Sequence, residues 1–337
     1  ETKMEIYLKQ AILHLIDREA GDPVFSQVPL DLSAEYIRDY LTKKIQKLSS
    51  AQTKTGRLVA DSVVSRMLAT ATDDFIAFSE AFVKHWYQMY QGSEDAPNSD
   101  VFIVLYEEDA LAQVAFIKVN YKEAYTHFTD LNEEGLANRL ILNRAILAGK
   151  AQKPDEGMTI DLKTLDYELI EKKYQFSGDK RYYFSTQVIE SVPRPSLDDH
   201  LSVIKKAAKK MSEKFETPTY DVLANIQEAV YDTIEETGTL DTTEIAQKVF
   251  KENVSARMAF QEEMTEKGVI EQTPLVKEVK EISEKKFGKQ KLKLSNGIEL
   301  IVPLDVYRNP DLIEFVNHPD GTLSVTIKNV EEIVNRL

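Results

Sequence analysis

Between Asp100 and Asn120 the hydrophobic period of the chain changes, and this constrains the fold more than any other feature. Val101 to Tyr106 is an unbroken apolar run, Glu107 to Asp109 an acidic turn, and Leu111 to Val119 a second, largely apolar run. Two such runs across a short polar break predict an antiparallel hairpin central to a sheet. Around it the pattern is mixed. Glu5 to Ile16 and Val24 to Val28 read as strands of a hairpin turning at Gly21, Asp22 and Pro23, and Tyr125 to Thr129 and Leu140 to Leu147 are weaker strand candidates. Met158 to Tyr167 and Arg181 to Val188 also read as extended.

Helical spacing appears in three early segments. Tyr36, Ile37, Tyr40, Leu41, Ile45 and Leu48 share a face behind a Ser33 cap, Asp61 to Ala69 is a short helix, and Asp73 to Tyr90 places Phe75, Phe78, Phe82, Val83 and Trp86 on one face. Strands and helices do not alternate regularly, which argues against a doubly wound parallel sheet. Pro193 and Pro195 forbid helix continuation and mark a boundary. Beyond it, Leu197, Leu201, Ile204, Ala208, Met211 and Phe215 form one helical stripe. Further helices start at Thr217 and Pro218, at Asp241 with Glu244, and at Ser255. The Ser295, Asn296, Gly297 turn then sets a hairpin. The expected fold is α+β: an amino-terminal antiparallel sheet with packed helices over residues 1–192, then over 193–337 a helical subdomain ending in a β-hairpin.

The chemistry a catalytic chain needs is sparse. With no cysteine, disulfides, thiolate nucleophiles and cysteine-held metals are excluded, and a reducing cytoplasm is the expected compartment. Glu1 to Leu8 lack the features of a signal peptide, and no apolar run approaches the roughly twenty residues of a spanning helix, so neither export nor a membrane is expected. His14, His85, His127, His200 and His318 are scattered without metal-ligand spacing, and there is no nucleophile elbow, Walker loop or dinucleotide fingerprint. No cofactor and no metal are expected. One enzymatic alternative is a magnesium-dependent nuclease, since Asp155 followed by Glu171, Lys172 and Lys173 has the carboxylate, carboxylate, lysine order of a restriction-type site.

Asp73, Asp74, Phe75, Ile76, Ala77, Phe78 and Ser79, set before the hairpin Phe102 to Lys118, are similar to a signature of bacterial NdpA-like nucleoid-associated proteins. Ala11 to His14, the Gln113 to Lys118 strand, and Asp161 and Leu162 followed by Arg181 and Tyr182 also resemble that family. The resemblance is clearest over residues 5–190; the rest matches by order of elements, with Phe260 in a comparable helix. It implies a bacterial, cytoplasmic, nucleoid-located protein that is not an enzyme, with DNA or nucleoid proteins as partners.

Charge tests that implication. The chain has 42 basic and 56 acidic residues, a net −14, which repels polyanions unless the charges segregate. They do segregate. Residues 38–66 are locally +5 and include Lys43, Lys44, Lys47, Lys54 and Arg57. Residues 277–293 are locally +4 and include Lys285, Lys286 and Lys289. Lys205, Lys206, Lys209 and Lys210 lie off the apolar stripe of their helix, whereas residues 215–247 hold eight carboxylates and no cation. These lysines and Arg57 are the candidate nucleic-acid contacts, made to the backbone and not to bases. The alternative is a protein-interaction module recruited to the nucleoid through the acidic stretch or the 197–215 seam. A homo-oligomer is compatible with either.

Overall fold

A computed structural model describes residues 5–216, 219–269 and 272–334. The chain divides after Leu197 into two compact units. The fold is α+β, and none of the described helices is long and apolar enough to cross a membrane.

In order, the first unit contains β1 (Ile6–Ile16), α1 (Glu35–Gln46), β2 (Lys54–Arg57), α2 (Val63–Leu68), α3 (Phe75–Tyr90), β3 (Ser99–Glu108), β4 (Leu111–Asn120), β5 (Lys122–Asn132) and β6 (Gly135–Ile146). It continues with β7 (Glu156–Asp161), β8 (Asp166–Ile170), β9 (Lys173–Phe176), β10 (Asp179–Tyr182) and one π-helical turn, Phe184–Val188. Six strands form one sheet in the order β1-β3-β4-β7-β8-β2, every neighbouring pair antiparallel. The expected hairpin is β3–β4, and it is central. Its apolar runs are continuous because both sheet faces are covered. Val101, Ile103, Leu105, Val114 and Phe116 join a core with α2, α3 and the π turn, while Phe102, Val104, Tyr106, Ala115 and Ile117 pack with Leu41, Ile45 and Leu48 around α1. Gly157 lets the layers close, since a Cβ there would stand 2.4 Å from Leu48 and 2.8 Å from the Phe116 carbonyl.

Three local expectations change. Val24–Val28 is not a strand: only Val24 pairs, through an isolated bridge to Leu15 on the outer edge of β1, and the next N–H along, that of Ser26, goes to the His14 ring instead of a strand carbonyl. Ser33 does not cap α1; the cap position is Ala34, and the Ser33 N–H goes to Asp31. Arg181–Val188 is not one strand. It ends at Tyr182, where Phe184, Ser185 and Val188 turn into the core.

The second unit contains α4 (Leu197–Lys214), α5 (Thr219–Thr237), β11 (Thr239–Asp241), α6 (Thr242–Val249), α7 (Val254–Glu266), β12 (Gln272–Pro274), α8 (Val279–Phe287), β13 (Lys289–Lys293), β14 (Glu299–Pro303), α9 (Leu304–Tyr307), β15 (Ile313–Asn317) and β16 (Leu323–Ile327). Asp241 caps α6 as expected, accepting from the N–H groups of Thr243 and Glu244. Asn253, not Ser255, caps α7. The helical region ends in two hairpins, β13–β14 and β15–β16. The expected start at Thr217 and Pro218 lies outside the described residues.

Two buried polar sites fix the first unit. On β1, His14 is fully buried; its Nδ1 accepts the Ser26 N–H at 3.2 Å, so Nε2 carries the proton and faces Ser79 Oγ, also at 3.2 Å. Between β4 and β7, Lys118 and Glu156 form a fully buried ion pair at 3.1 Å. Glu156 Oε2 also accepts from the hydroxyls of Tyr174 at 2.9 Å and Tyr183 at 3.4 Å, and Tyr183 accepts the Trp86 indole N–H at 2.8 Å. Burial lowers the Lys118 pKa, against the pull of the Glu156 carboxylate.

Burial lowers the His14 pKa from 6.5 to about 4. The unfolded chain therefore takes up this proton first, and the stability His14 contributes is present above pH 6.5 and lost as the pH falls toward 4. The loss is about 3 kcal/mol. Urea unfolding between pH 7 and 4.5 shows wild type losing stability more steeply than His14→Gln; parallel profiles would contradict this assignment. For the ion pair, Lys118→Met and Glu156→Gln each cost about 3–5 kcal/mol, since each strands a buried charge. The double variant costs less than their sum by more than about 1 kcal/mol; additive costs would show the two charges to be uncoupled.

Candidate nucleic-acid interface

A basic groove lies over this buried network. The β9–β10 hairpin turns through Ser177 and Gly178, both at positive φ (51° and 87°), the two-residue turn that suits strand twist. Its register pairs Lys173 with Tyr182 and Lys180 with Gln175, which puts these four on one face; Tyr174 and Phe176 go to the other and into the core. Lys173, Lys180, Arg181 and Tyr182 line the groove with Thr186 and Gln187 of the π turn. The cations Lys173, Lys180 and Arg181 are exposed, and none forms an ion pair among the described residues.

A second buried carboxylate, Glu171, lies two residues before Lys173. Glu171 accepts the Ser185 N–H and hydroxyl, each at 3.0 Å, and the Lys54 ammonium at 3.0 Å. Lys54 and Lys173 both approach the Tyr182 ring, at 3.5 and 4.8 Å from its centroid. The groove thus has a rigid base, several positive charges and an open mouth, which suits contact with phosphate oxygens.

The candidate cations read from sequence meet different fates. Lys44 is a correction: it is fully buried, its ammonium donating to the carbonyls of Gly149 at 3.1 Å and Gln152 at 2.8 Å, so it clamps a loop and presents no charge to a ligand. Lys43 on α1 and Lys47 just past its end are half-buried. Lys54 has its charge committed to Glu171, and Arg57 forms a two-pronged pair with Asp166 at 2.7 and 3.1 Å. On α4, Lys205, Lys206, Lys209 and Lys210 are exposed opposite the buried Leu201, Ile204, Ala208 and Met211. Lys210 pairs with Glu263 at 2.5 Å and Lys209 loosely with Glu213 at 3.9 Å; Lys205 and Lys206 have no ion pair among the described residues. Lys285 pairs with Glu281, while Lys286 joins α8 to the first turn of α4 through Asp198 at 2.6 Å. Lys289 is exposed at the start of β13.

Lys173, Lys180 and Arg181 did not stand out as a cluster in the sequence, although residues 172–181 carry four cations against Asp179 alone. The nuclease pattern drew attention to the same segment for another reason. Its carboxylates are otherwise engaged. Burial raises the Asp155 pKa, but its bonds to the Lys172 ammonium at 2.9 Å and the Asn120 N–H at 2.9 Å outweigh that and hold it below the ordinary carboxylate range. Glu171 is saturated as described, and among the described residues no group of three or more His, Asp or Glu is arranged to hold a metal ion. The acidic 215–247 stretch is also partly neutralised, Arg308 bridging Glu228 at 3.1 Å and Asp232 at 2.8 Å, with Lys248 on Asp232 at 3.1 Å.

The model of a protein family described as nucleoid-associated protein YejK matches residues 12–334. No curated protein matches the chain.

Proposed function

The chain belongs to the YejK nucleoid-associated protein family, and from that premise we propose that it binds duplex DNA directly, through backbone phosphates and without strong sequence preference. The observation that carries this reading is the groove of Lys173, Lys180 and Arg181, three exposed cations that form no ion pair among the described residues, in a chain of net charge −14. Elsewhere in the chain cations are spent on neighbouring carboxylates, as Arg57, Lys54 and Arg308 are. Cations left unpaired on a rigid base mark where a polyanion can approach. Lys205 and Lys206 on α4 supply a second such surface, within the other unit. The protein then resides with the nucleoid and acts by binding, without a chemical step.

Mobility-shift titration of a duplex tests this. Wild type binds at about 50 mM salt and loses affinity steeply as salt rises, because phosphate contacts release counterions. The triple variant Lys173→Gln, Lys180→Gln, Arg181→Gln loses at least about tenfold in affinity. Its salt slope falls by about 3, near the 0.9 expected per phosphate contact removed. Lys44→Met, which removes a buried clamp, leaves the slope unchanged. Absence of binding by wild type at low salt would refute direct contact, and an unchanged slope in the triple variant would move the contact elsewhere.

A further inference from the structure

The β5–β6 hairpin leaves the sheet at Asn120 and returns at Leu147 as a two-stranded ribbon of its own. Its root is pinned: Tyr121 donates to Asp100 at 2.6 Å, Tyr40 to the Ala148 carbonyl at 3.1 Å, and Lys44 holds the returning loop at Gly149 and Gln152. Beyond the root nearly every residue is exposed. An isolated two-stranded hairpin is marginal in water, so an arm of this length calls for a cover.

The register separates its faces. Tyr125 pairs with Leu142, His127 with Leu140, Thr129 with Asn138 and Leu131 with Leu136, and strand alternation puts these eight on one face. That face has no Lys, Arg, Asp or Glu, yet Tyr125, Leu131, Leu136 and Leu140 are 71%, 77%, 73% and 75% exposed. Arg139 and Asp130 pair on the other face, and Arg144 and Glu123 neutralise each other at the root, where the register shifts, both pairs at 3.4 Å. Lengthwise the arm is polar. Glu133 and Glu134 at the tip and Lys122 at the root have no ion pair among the described residues.

We propose that this face is covered by the same face of a second copy of the chain, the two arms packing antiparallel about a twofold axis near Thr129 and Asn138. A charge-free face excludes DNA as its occupant, since nucleic acid is held by cations. It suits self-association of a chain with net charge −14, which any charged patch would oppose. Antiparallel packing sets the acidic tip of each arm against the Lys122 root of the other and stacks the tip leucines, Leu131 and Leu136, against Tyr125 and Leu142 of its mate. Each arm offers roughly 600–800 Å² of such surface, so a pair buries about 1,200–1,600 Å², the size of a standard specific interface.

Sedimentation of the full chain tests the proposal. At about 100 µM, above the micromolar weak end for interfaces of this size, wild type sediments as a dimer. Leu131→Glu with Leu140→Glu sediments as a monomer whose buried Trp86 keeps its wild-type fluorescence. Because the chain has no cysteine, Thr129→Cys on the apolar face gives an interchain disulfide on oxidation, and Asp130→Cys on the opposite face does not. A monomeric wild type overturns the proposal in favour of a different occupant. A dimer that survives the glutamates, or one cross-linked equally through Asp130→Cys, places the contact on another surface. Duplex binding by the monomeric variant is measured alongside, so a failed arm and a failed groove give different results.

Discussion

The first unit depends on a charge pair that its own burial disfavours. Lys118 and Glu156 lie on neighbouring strands with no solvent access, and taking two charges from water costs more than their attraction returns unless every remaining bond is made. Here those bonds are made by the architecture. The Lys118 ammonium also reaches the Tyr174 hydroxyl and the Asn120 side chain, at 3.1 and 2.6 Å, while Tyr174 and Tyr183 serve the carboxylate and Trp86 of α3 serves Tyr183. One pair thereby sets the positions of β4, β7, β9, α3 and the π turn. The β9–β10 hairpin is tied to this network through Tyr174, so the groove cations stand on a strand anchored in the core.

The sequence made visible whatever depends on short-range pattern. The β3–β4 hairpin, the aromatic face of α3, the stripe of α4 and the Asp241 cap follow from spacing and side-chain chemistry within a few residues. What it hid depends on partners far along the chain. That β1 pairs with β3 and β2 with β8 is set by which edges remain open, and Val24–Val28 stops pairing after one bridge because the buried His14 ring takes the Ser26 N–H. Lys43, Lys44 and Lys47 are alike in sequence, yet Lys44 alone points beneath α1, where two loop carbonyls more than a hundred residues away need a donor. The groove was half legible: its local charge could be counted, but its cations could be told from paired ones only once Glu171 and Asp155 had been assigned to Lys54 and Lys172.

An acidic protein can address DNA if its carboxylates are spent on its own cations in some places and left to solvent in others. Arg57, Lys54 and Arg308 are spent in this way, and Lys173, Lys180, Arg181, Lys205 and Lys206 are not. Total charge then governs solubility and repulsion between copies, while local pairing governs where a phosphate can be held.

Contacts of this kind are few per chain and individually weak, so a single copy would be a poor binder at physiological salt, where each released counterion counts for less. Arm and groove belong to the same unit, and a twofold pairing of arms would carry two grooves on one particle. The second groove would then engage as an intramolecular event, with an effective concentration fixed by the arms and not by diffusion. An arm with one uncharged apolar face on a strongly charged chain is consistent with that division of labour: association relies on apolar area, which salt does not screen, and DNA contact relies on cations, which it does. Salt could then release DNA while leaving the pair of chains intact.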